Sequence, residues 1–210
     1  CSTVSVLGRI LANSASPELS QYWVPRIISG ESIIGLALTE PSGGSDAGNL
    51  RTKAVRKGDR YFLSGEKTSI SMAHQADGFI VFARTGTQES RAHGITAFFV
   101  RGDSKGLSRT RFNDVGSKVV GRGSLFLDEV EVPVENRIAD EGAGFKQVMA
   151  GFDFNRAAIG LECCGVAQAS LDETWAYVGG RETFGVKLSQ HQGVSFPLAE
   201  GEARIAAARQ

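Results

Sequence analysis

A run of small polar residues follows a short apolar stretch in the first quarter of the chain. Residues 39–46 read TEPSGGSD and come directly after the apolar residues 36–38. Glycine reaches positive φ and proline fixes φ near −65°, so the pattern predicts a strand that enters a glycine-rich turn. Such a turn presents backbone N–H groups, which makes it a candidate seat for a polar, anionic cofactor. It matches neither the P-loop nor the dinucleotide fingerprint, because the required lysine and the glycine spacing are both missing.

The composition argues against several classes of protein. The 210 residues carry 23 basic and 23 acidic side chains, and this balance gives no support to a nucleic-acid partner. No apolar run approaches the roughly 20 residues needed to cross a bilayer, so we expect no membrane insertion. Cys1, Cys163 and Cys164 lack the spacing of a metal site, and neighbouring cysteines rarely bridge. We therefore expect a reduced compartment, either a bacterial cytoplasm or a mitochondrial matrix.

The first two blocks of the chain, one helical and one β-rich, must position such a site. Residues 1–33 have helical periodicity, with a helix start at Ser16 and Pro17. Residues 34–138 hold short β-rich runs separated by Gly, Asp, Ser or Pro, including a hairpin around residues 57–59. No helix-length segment separates these runs, so parallel βαβ units are not expected. We predict an antiparallel barrel or sandwich.

The third block, residues 139–210, is helical again. A long helix is predicted from Gly144 to Val178, and it is apolar on most faces, so it should pack in a bundle or an interface. A second helix is predicted to begin near Ser189, and Pro197 should bend it unless it lies in the first turn. The chain begins without methionine and stops inside a helical pattern, so we expect a piece of a longer protein. Expressed alone, that piece should aggregate through its unpartnered apolar helix.

Four segments resemble the acyl-CoA dehydrogenase family of FAD flavoproteins in their order and spacing. They are residues 38–46 (LTEPSGGSD), 65–71 (GEKTSIS), 128–145 (with DEVEVP and GAGF) and 181–192 (with RETFG and HQ). The resemblance implies an α+β multidomain fold with a central antiparallel β-barrel or sandwich domain and an incomplete C-terminal helical bundle. The implied domains are the end of an N-terminal helical domain at 1–33, the β-domain at 34–138 and the bundle at 139–210.

The resemblance implies that the first segment lies against FAD. The backbone around Leu38 and the hydroxyl of Thr39 would hydrogen-bond the edge of the isoalloxazine ring, since a hydroxyl both donates and accepts. Gly44 and Ser45 would meet the FAD pyrophosphate or the CoA portion of the substrate. The alternative is purely local, with Thr39 as a strand residue and Ser45 as part of a cap.

The second segment departs from the family pattern. Family members often carry tryptophan and threonine where this chain has Ser69 and Ser71. Ser71 keeps a hydroxyl, whereas Ser69 removes an aromatic side chain that would pack beside the flavin. Both are predicted to bind the cofactor, and the alternative for Ser69 is drift in a strand that tolerates polar residues.

The fourth segment implies a second subunit. The family residues equivalent to Arg181, Thr183, Phe184 and Gln192 reach the adenosine and pyrophosphate of FAD held by a neighbouring subunit. A shared site requires a homo-oligomer, either a dimer or a tetramer. For Arg181 taken alone, the alternative is a cap at a helix C-terminus before a glycine turn.

The long helix carries the implied substrate contacts and a substituted base position. Asp153 and Arg156 match family positions that contact CoA, although a pair at this spacing is also typical of a surface ion pair. Some branches place the catalytic glutamate where this chain has Asn155, and an amide cannot accept the proton. Glu162 lies two turns along the helix and is not assigned as the base. We expect the base beyond Gln210.

The resemblance implies an oxidoreductase that acts on CH–CH groups. The reaction would be FAD-dependent α,β-dehydrogenation of an acyl-CoA thioester, with electrons passed to an electron-transfer flavoprotein. Two alternatives remain open. One is an acyl-CoA oxidase or flavin monooxygenase on the same fold, and the other is a non-catalytic flavin-binding scaffold that lacks the base.

Overall fold

The N-terminal block folds as two helices whose ends follow the sequence signals. The computed structural model describes residues 2–210, and the side chains at positions 2, 3, 5 and 148 lie outside the description. Helix α1 spans Ser2–Ser14 and α2 spans Pro17–Ser29. The Ser16 hydroxyl accepts a hydrogen bond from the Leu19 N–H at 3.3 Å, with proline in the first helical position. Helix α2 ends at Gly30, where φ is 79° and only glycine adopts the turn freely.

The β-rich block forms one sheet of eight strands. In spatial order its main path is β6-β7-β3-β2-β4-β5-β8, and β1 pairs with β4 away from that path. The strands are β1 Ile34–Ala37, β2 Lys53–Lys57, β3 Arg60–Ile70, β4 Gly78–Arg84, β5 Ile95–Arg101, β6 Leu107–Arg109, β7 Gly123–Pro133 and β8 Arg137–Ile138. The predicted hairpin is present: β2 pairs with β3 across Gly58 and Asp59, with φ of 65° at the glycine.

The sheet is mixed, which corrects the expectation of a purely antiparallel arrangement. Strand β1 pairs in parallel with β4, from Ile34 opposite Gly78 to Ala37 opposite Val81. Strand β2 makes one further parallel pairing with β4. The expectation assumed that a parallel pair needs a helical crossover. Here the β2–β3 hairpin lies between β1 and β4 along the chain and takes that place.

Strands β4 and β5 are buried on both faces and separate two apolar clusters. One face, with Ile80, Phe82 and Phe99, packs against side chains of α1 and α2, among them Leu7 and Trp23. The opposite face packs against β3 and β7, through residues that include Phe79, Val81, Phe98, Tyr61, Leu63 and Val130. Successive residues of a strand point to opposite faces, and both faces of β4 and β5 are buried. Their sequences are therefore continuously hydrophobic and do not alternate with polar residues.

The chain divides into two compact units, one up to Asp153 and one from Phe154 to Gln210. Helix α3 spans Gly144–Gly180 and contains this division, so the boundaries 1–33, 34–138 and 139–210 stay a prediction. In the second unit α3 is followed by a hairpin of β9 (Glu182–Thr183) and β10 (Val186–Lys187), and then by α4 (Gln192–Ala208). The Trp175 indole donates to Glu202 at 3.2 Å, which joins α3 to α4.

The second helix begins three residues later than predicted. Residues Leu188–Gln190 form a single turn of 3-10 helix, so α4 starts only at Gln192. Pro197 lies beyond the first turn, inside the helix. Several large apolar side chains of α3 are exposed, with Leu161 at 58% and Val166 at 69%. No helix in the described residues is long and apolar enough to span a bilayer.

Candidate functional site

The segment after β1 is fixed to β3 through its backbone carbonyls. The ammonium of Lys67 donates to the carbonyl oxygen of Leu38 at 3.1 Å. One residue further, the N–H of Thr68 donates to the carbonyl oxygen of Thr39 at 2.9 Å. Two consecutive residues of the first matching segment are therefore bound to two consecutive residues of the second. The two segments that were each predicted to bind FAD are therefore adjacent in the structure.

A buried ion pair lies behind these contacts. The Lys67 Nζ and Glu40 Oε1 atoms are 2.8 Å apart, and their side chains are 0% and 5% exposed. Glu40 also accepts from the Thr52 hydroxyl at 2.6 Å, from the Thr52 N–H at 2.9 Å and from the Arg51 N–H at 2.7 Å. These four donors occupy the hydrogen-bonding capacity of the carboxylate. A buried charge needs such partners because it has lost its contacts with water.

The two pKa values in the pair are shifted in ways that burial and pairing explain. Burial alone would raise the pKa of Glu40, but the charge and hydrogen bond of Lys67, with the bonds from Thr52 and the Arg51 N–H, hold it below the ordinary value. Burial lowers the pKa of Lys67 to about 8, against the opposing attraction of Glu40. At neutral pH the pair is therefore an ammonium beside a carboxylate.

The glycine-rich turn that follows is exposed and packs closely on Thr39. Glu40 and Gly43 exchange two backbone hydrogen bonds, at 3.0 and 3.2 Å, which close the turn. A Cβ added at Gly44 would lie 3.2 Å from the Thr39 methyl group, so a larger side chain would press on that residue. Gly44 and Ser45 are exposed. The turn thus holds small residues and backbone N–H groups at the surface beside a hydroxyl.

The two serines of the second matching segment have different surroundings. Ser69 directly follows the residue that binds Thr39, is exposed, and has φ of 58°, which few residues other than glycine and asparagine adopt. This geometry goes with a register shift between Lys67 and Ile70 in the pairing of β3 with β7. Ser71 lies beyond the end of β3 and is half-buried, and its carbonyl oxygen is close to Gly35 of β1.

A second buried cation, Arg84, closes the site from behind. Its guanidinium donates to the carbonyl oxygens of Gly48, Leu50, Thr87 and Arg91, at 2.9 to 3.0 Å. Burial lowers its pKa, and the charge of Glu40 opposes that shift. One buried carboxylate, Glu40, and two buried cations, Lys67 and Arg84, therefore hold the segments on either side of the exposed turn.

The fourth matching segment lies in the second unit. Phe184 and Gly185 form a two-residue turn between β9 and β10, with φ of 51° and 78°, as a tight hairpin requires. The Phe184 side chain is 95% exposed. Arg181 and Gln192 are also exposed and Thr183 is half-buried, so the residues gather around one short hairpin and the start of α4.

The predicted substrate positions lie on α3. Asp153 and Arg156 are exposed, on either side of the division between the two compact units. Asn155 is half-buried, and its side-chain oxygen is buried without a hydrogen-bond partner among the described residues. Among those residues, no group of three His, Cys, Asp or Glu side chains gathers as metal ligands do.

The comparisons with known proteins decide the family. A family model described as the acyl-CoA dehydrogenase middle domain matches residues 35–130, and one described as the C-terminal domain matches residues 142–210. The chain belongs to the acyl-CoA dehydrogenase family. The predicted family, the fold class with a mixed rather than an antiparallel sheet, and the FAD flavoprotein assignment are thereby confirmed.

Individual relatives agree with this assignment. Cyclohexane-1-carbonyl-CoA dehydrogenase of Geobacter metallireducens is 36% identical, over 95% of this chain and 52% of the relative. A subunit of the caffeyl-CoA reductase–Etf complex of Acetobacterium woodii is 34% identical, over 96% and 53%. The solved structure of butyryl-CoA dehydrogenase from Megasphaera elsdenii superposes with a TM-score of 0.92 at 31% identity, over 99% of this chain and 55% of that one. The chain spans about half the length of these acyl-CoA dehydrogenase relatives.

Sequence reasoning missed the residues that hold this acyl-CoA dehydrogenase segment in place. Glu40 and Lys67 lie inside the matching segments, but no role was predicted for either, nor for Arg84. A signal was present for Lys67, because it shares the parity of Tyr61 and Leu63 along β3, both of which point into the core. A lysine at a core-facing strand position requires a buried acid.

Proposed function

We propose that the protein to which this chain belongs catalyses FAD-dependent α,β-dehydrogenation of an acyl-CoA thioester. The observation that carries the proposal is the fixed segment from Leu38 to Glu40, which is bound to β3 and backed by the Lys67–Glu40 ion pair. It leaves a hydroxyl and a turn of small residues at the surface. Fixed groups of this kind favour one orientation of a bound cofactor and substrate.

The residues fit FAD as judged by their chemistry and packing. The Leu38 backbone and the Thr39 hydroxyl would bind the flavin edge, and Ser69 and Ser71 would lie beside it. Gly44 and Ser45 would meet the pyrophosphate or CoA, and the close approach of Gly44 to Thr39 leaves no room for a side chain there without a shift. FAD, when bound, supplies the acceptor for the β-hydrogen, which leaves as hydride.

Three residues are proposed to bind the CoA thioester. Ser45 presents a hydroxyl on the exposed turn, and Asp153 and Arg156 present a carboxylate and a guanidinium on α3. A guanidinium forms two charge-assisted bonds with a phosphate, which suits the phosphates of CoA. The remaining task is to take up the α-proton. Asn155 cannot do so, and we propose that a carboxylate from another segment of the full protein does.

The hairpin of the second unit is proposed to serve FAD in a neighbouring copy. Arg181, Thr183, Phe184 and Gln192 would contact the adenosine and pyrophosphate, which makes the protein a homo-oligomer, a dimer or a tetramer. The support is the 95% exposure of Phe184. A large aromatic side chain at the tip of a tight turn buries almost none of its surface within its own unit, and such exposed apolar groups often mark a contact with another molecule.

The electron acceptor is proposed to be an electron-transfer flavoprotein. One relative is named as a subunit of a complex that contains Etf. The compartment stays a prediction, a bacterial cytoplasm or a mitochondrial matrix.

The test uses the full-length protein. It should copurify with FAD, and an acyl-CoA added without oxygen should bleach the flavin rapidly, with slow reoxidation in air. Thr39→Val, which removes only the hydroxyl, should slow bleaching more than it weakens acyl-CoA binding. Rapid peroxide formation would show an oxidase or monooxygenase. Bound FAD with no bleaching by any acyl-CoA would show the non-catalytic scaffold, which the amide at Asn155 favours.

A further inference from the structure

The most unusual polar group outside the proposed ligand contacts is the ammonium of Lys67. It is 0% exposed and contacts two acceptors, Glu40 Oε1 at 2.8 Å and the Leu38 carbonyl oxygen at 3.1 Å. Removing two charges from water is costly, and well-packed apolar side chains of similar size often stabilise a fold equally well or better. Stability alone is therefore a weak account of the pair, and a role in positioning is the better one.

The pair joins three separate stretches of the chain at one point. Glu40 lies after β1, its partners Thr52 and Arg51 lie just before β2, and Lys67 lies in β3. Among the described residues, the ammonium alone reaches from this junction to the carbonyl of Leu38. A lysine has three donors on one atom, so a single group can bind the carboxylate and a backbone carbonyl together.

The two anchors of the flavin-facing segment differ in kind. The bond from the Thr68 N–H to the Thr39 carbonyl joins backbone to backbone and needs no side chain. The bond to the Leu38 carbonyl is made by a side chain and depends on Lys67 alone for its donor. Substitution at Lys67 thus releases one end of the segment and leaves the other in place.

We propose that Lys67 is a positioning residue for the flavin site: its ammonium, held in place by Glu40, fixes the Leu38 carbonyl and so sets how Leu38 and Thr39 meet the cofactor. This inference rests on the proposed function. Lys67 acts through the backbone of Leu38 and does not touch substrate or cofactor. The role of Glu40 is to orient the ammonium.

The experiment distinguishes positioning of the Leu38 carbonyl by Lys67 from simple neutralisation of Glu40, because one variant removes both charges. Lys67→Met leaves a buried carboxylate, whereas the double variant Lys67→Met with Glu40→Gln removes both charges and keeps an acceptor for Thr52. The double variant also loses the acceptor of the Arg51 N–H, a loss that Glu40→Gln alone measures with the ammonium still present. The matched control is Thr52→Val, which disturbs the same junction but keeps the ammonium on Leu38. Each is made in the full-length protein and measured with and without FAD.

In the cofactor-free protein, amide hydrogen exchange of residues 38–45 should accelerate at least tenfold in the double variant and stay within twofold of wild type in Thr52→Val. The double variant should bind FAD at least tenfold more weakly with a shifted flavin spectrum, even though its denaturation midpoint returns most of the way to wild type. If Lys67→Met fails to fold, the double variant alone decides the question.

Restoration of both exchange protection and FAD affinity in the double variant would overturn the proposal, because Lys67 would then matter only as a counter-charge. Equal losses in Thr52→Val and the double variant would overturn it too, since they would mark a general loss of packing. Failure of the proposed function is a different result: wild-type protein would then bind no FAD, while the exchange difference between the variants would remain measurable.

Discussion

The turn after β1 and the hairpin between β9 and β10 are both proposed to bind the same cofactor, yet they are built in opposite ways. The first is fixed within its own unit by a buried ion pair and by backbone bonds to β3. The second presents Phe184 at 95% exposure on a turn of two residues. A site that is completed inside one unit is stabilised by that unit. A site that awaits another copy leaves its contact residues exposed.

The largest expected effect on stability comes from the ion pair behind the turn after β1. Lys67→Met should lower the free energy of unfolding by about 3–5 kcal/mol, because it leaves the Glu40 carboxylate buried without its partner. Denaturant titration of the full-length protein measures this. The control is Lys53→Met, at an exposed position of β2, which should change the value by less than about 0.5 kcal/mol. A similar small change at Lys67 would remove the contrast between the two regions.

The next effect is a pH dependence of the unfolding free energy that arises from Lys67, behind the turn after β1, and has no counterpart in the hairpin between β9 and β10. The folded-state pKa of Lys67 is about 8 and its ordinary value is 10.5, so between these values the unfolded chain binds more protons. The unfolding free energy of the wild type should therefore rise with pH in this interval relative to Lys67→Met, by about 1 kcal/mol per pH unit. Parallel curves for the two proteins would contradict the assigned pKa shift.

A smaller effect is expected at the tip of the hairpin. Gly185→Ala places a side chain at φ of 78°, which costs roughly 1 kcal/mol in the left-handed region. The cost should be local, since β9 and β10 are only two residues long. Faster amide exchange confined to residues 182–187 measures it. Loss of stability throughout the second unit would show that the hairpin is structural rather than a contact element.

The smallest effect on stability is expected for Phe184→Ala. An exposed side chain contributes little, so the free energy of unfolding should change by less than about 0.5 kcal/mol. FAD affinity of the assembled protein should nonetheless fall about tenfold, the amount that loss of one aromatic contact accounts for. Dialysis against FAD measures it, with Phe196→Ala on α4 as an exposed aromatic control that should leave FAD affinity unchanged. Unchanged affinity in Phe184→Ala would remove the hairpin from the cofactor site.

The parts of the fold that follow from the sequence depend on local signals. The start of α2 follows from a capping serine and a proline, and the β2–β3 hairpin follows from Gly58 and Asp59. The start of α4 was misplaced because Leu188–Gln190 form a 3-10 turn, which has nearly the same local pattern as an α-helix.

The parts that did not follow depend on contacts between distant residues. The parallel pairing of β1 with β4 joins positions more than 40 residues apart, and no local pattern specifies it. The ion pair of Glu40 with Lys67 likewise joins the turn after β1 to β3, 27 residues later. The resemblance to a family supplied the proposed ligand contacts at Thr39 and Gly44. The contacts of Glu40 and Lys67 that hold these residues become visible only when the segments around β1, β2 and β3 are placed together in the sheet.

The parallel pairing of β1 with β4 also sets an order of assembly. During synthesis, residues 34–46 leave the ribosome well before β4, their partner at Gly78–Arg84, and the hairpin of β2 and β3 emerges between them. The local hairpin closes quickly, whereas the distant pairing must wait for the later strand. The pairing of β1 thus forms only after β4 has emerged, later than the closure of the β2–β3 hairpin. Until then an apolar strand with no edge partner is exposed, and we expect nascent chains that end before Arg84 to be its most aggregation-prone form.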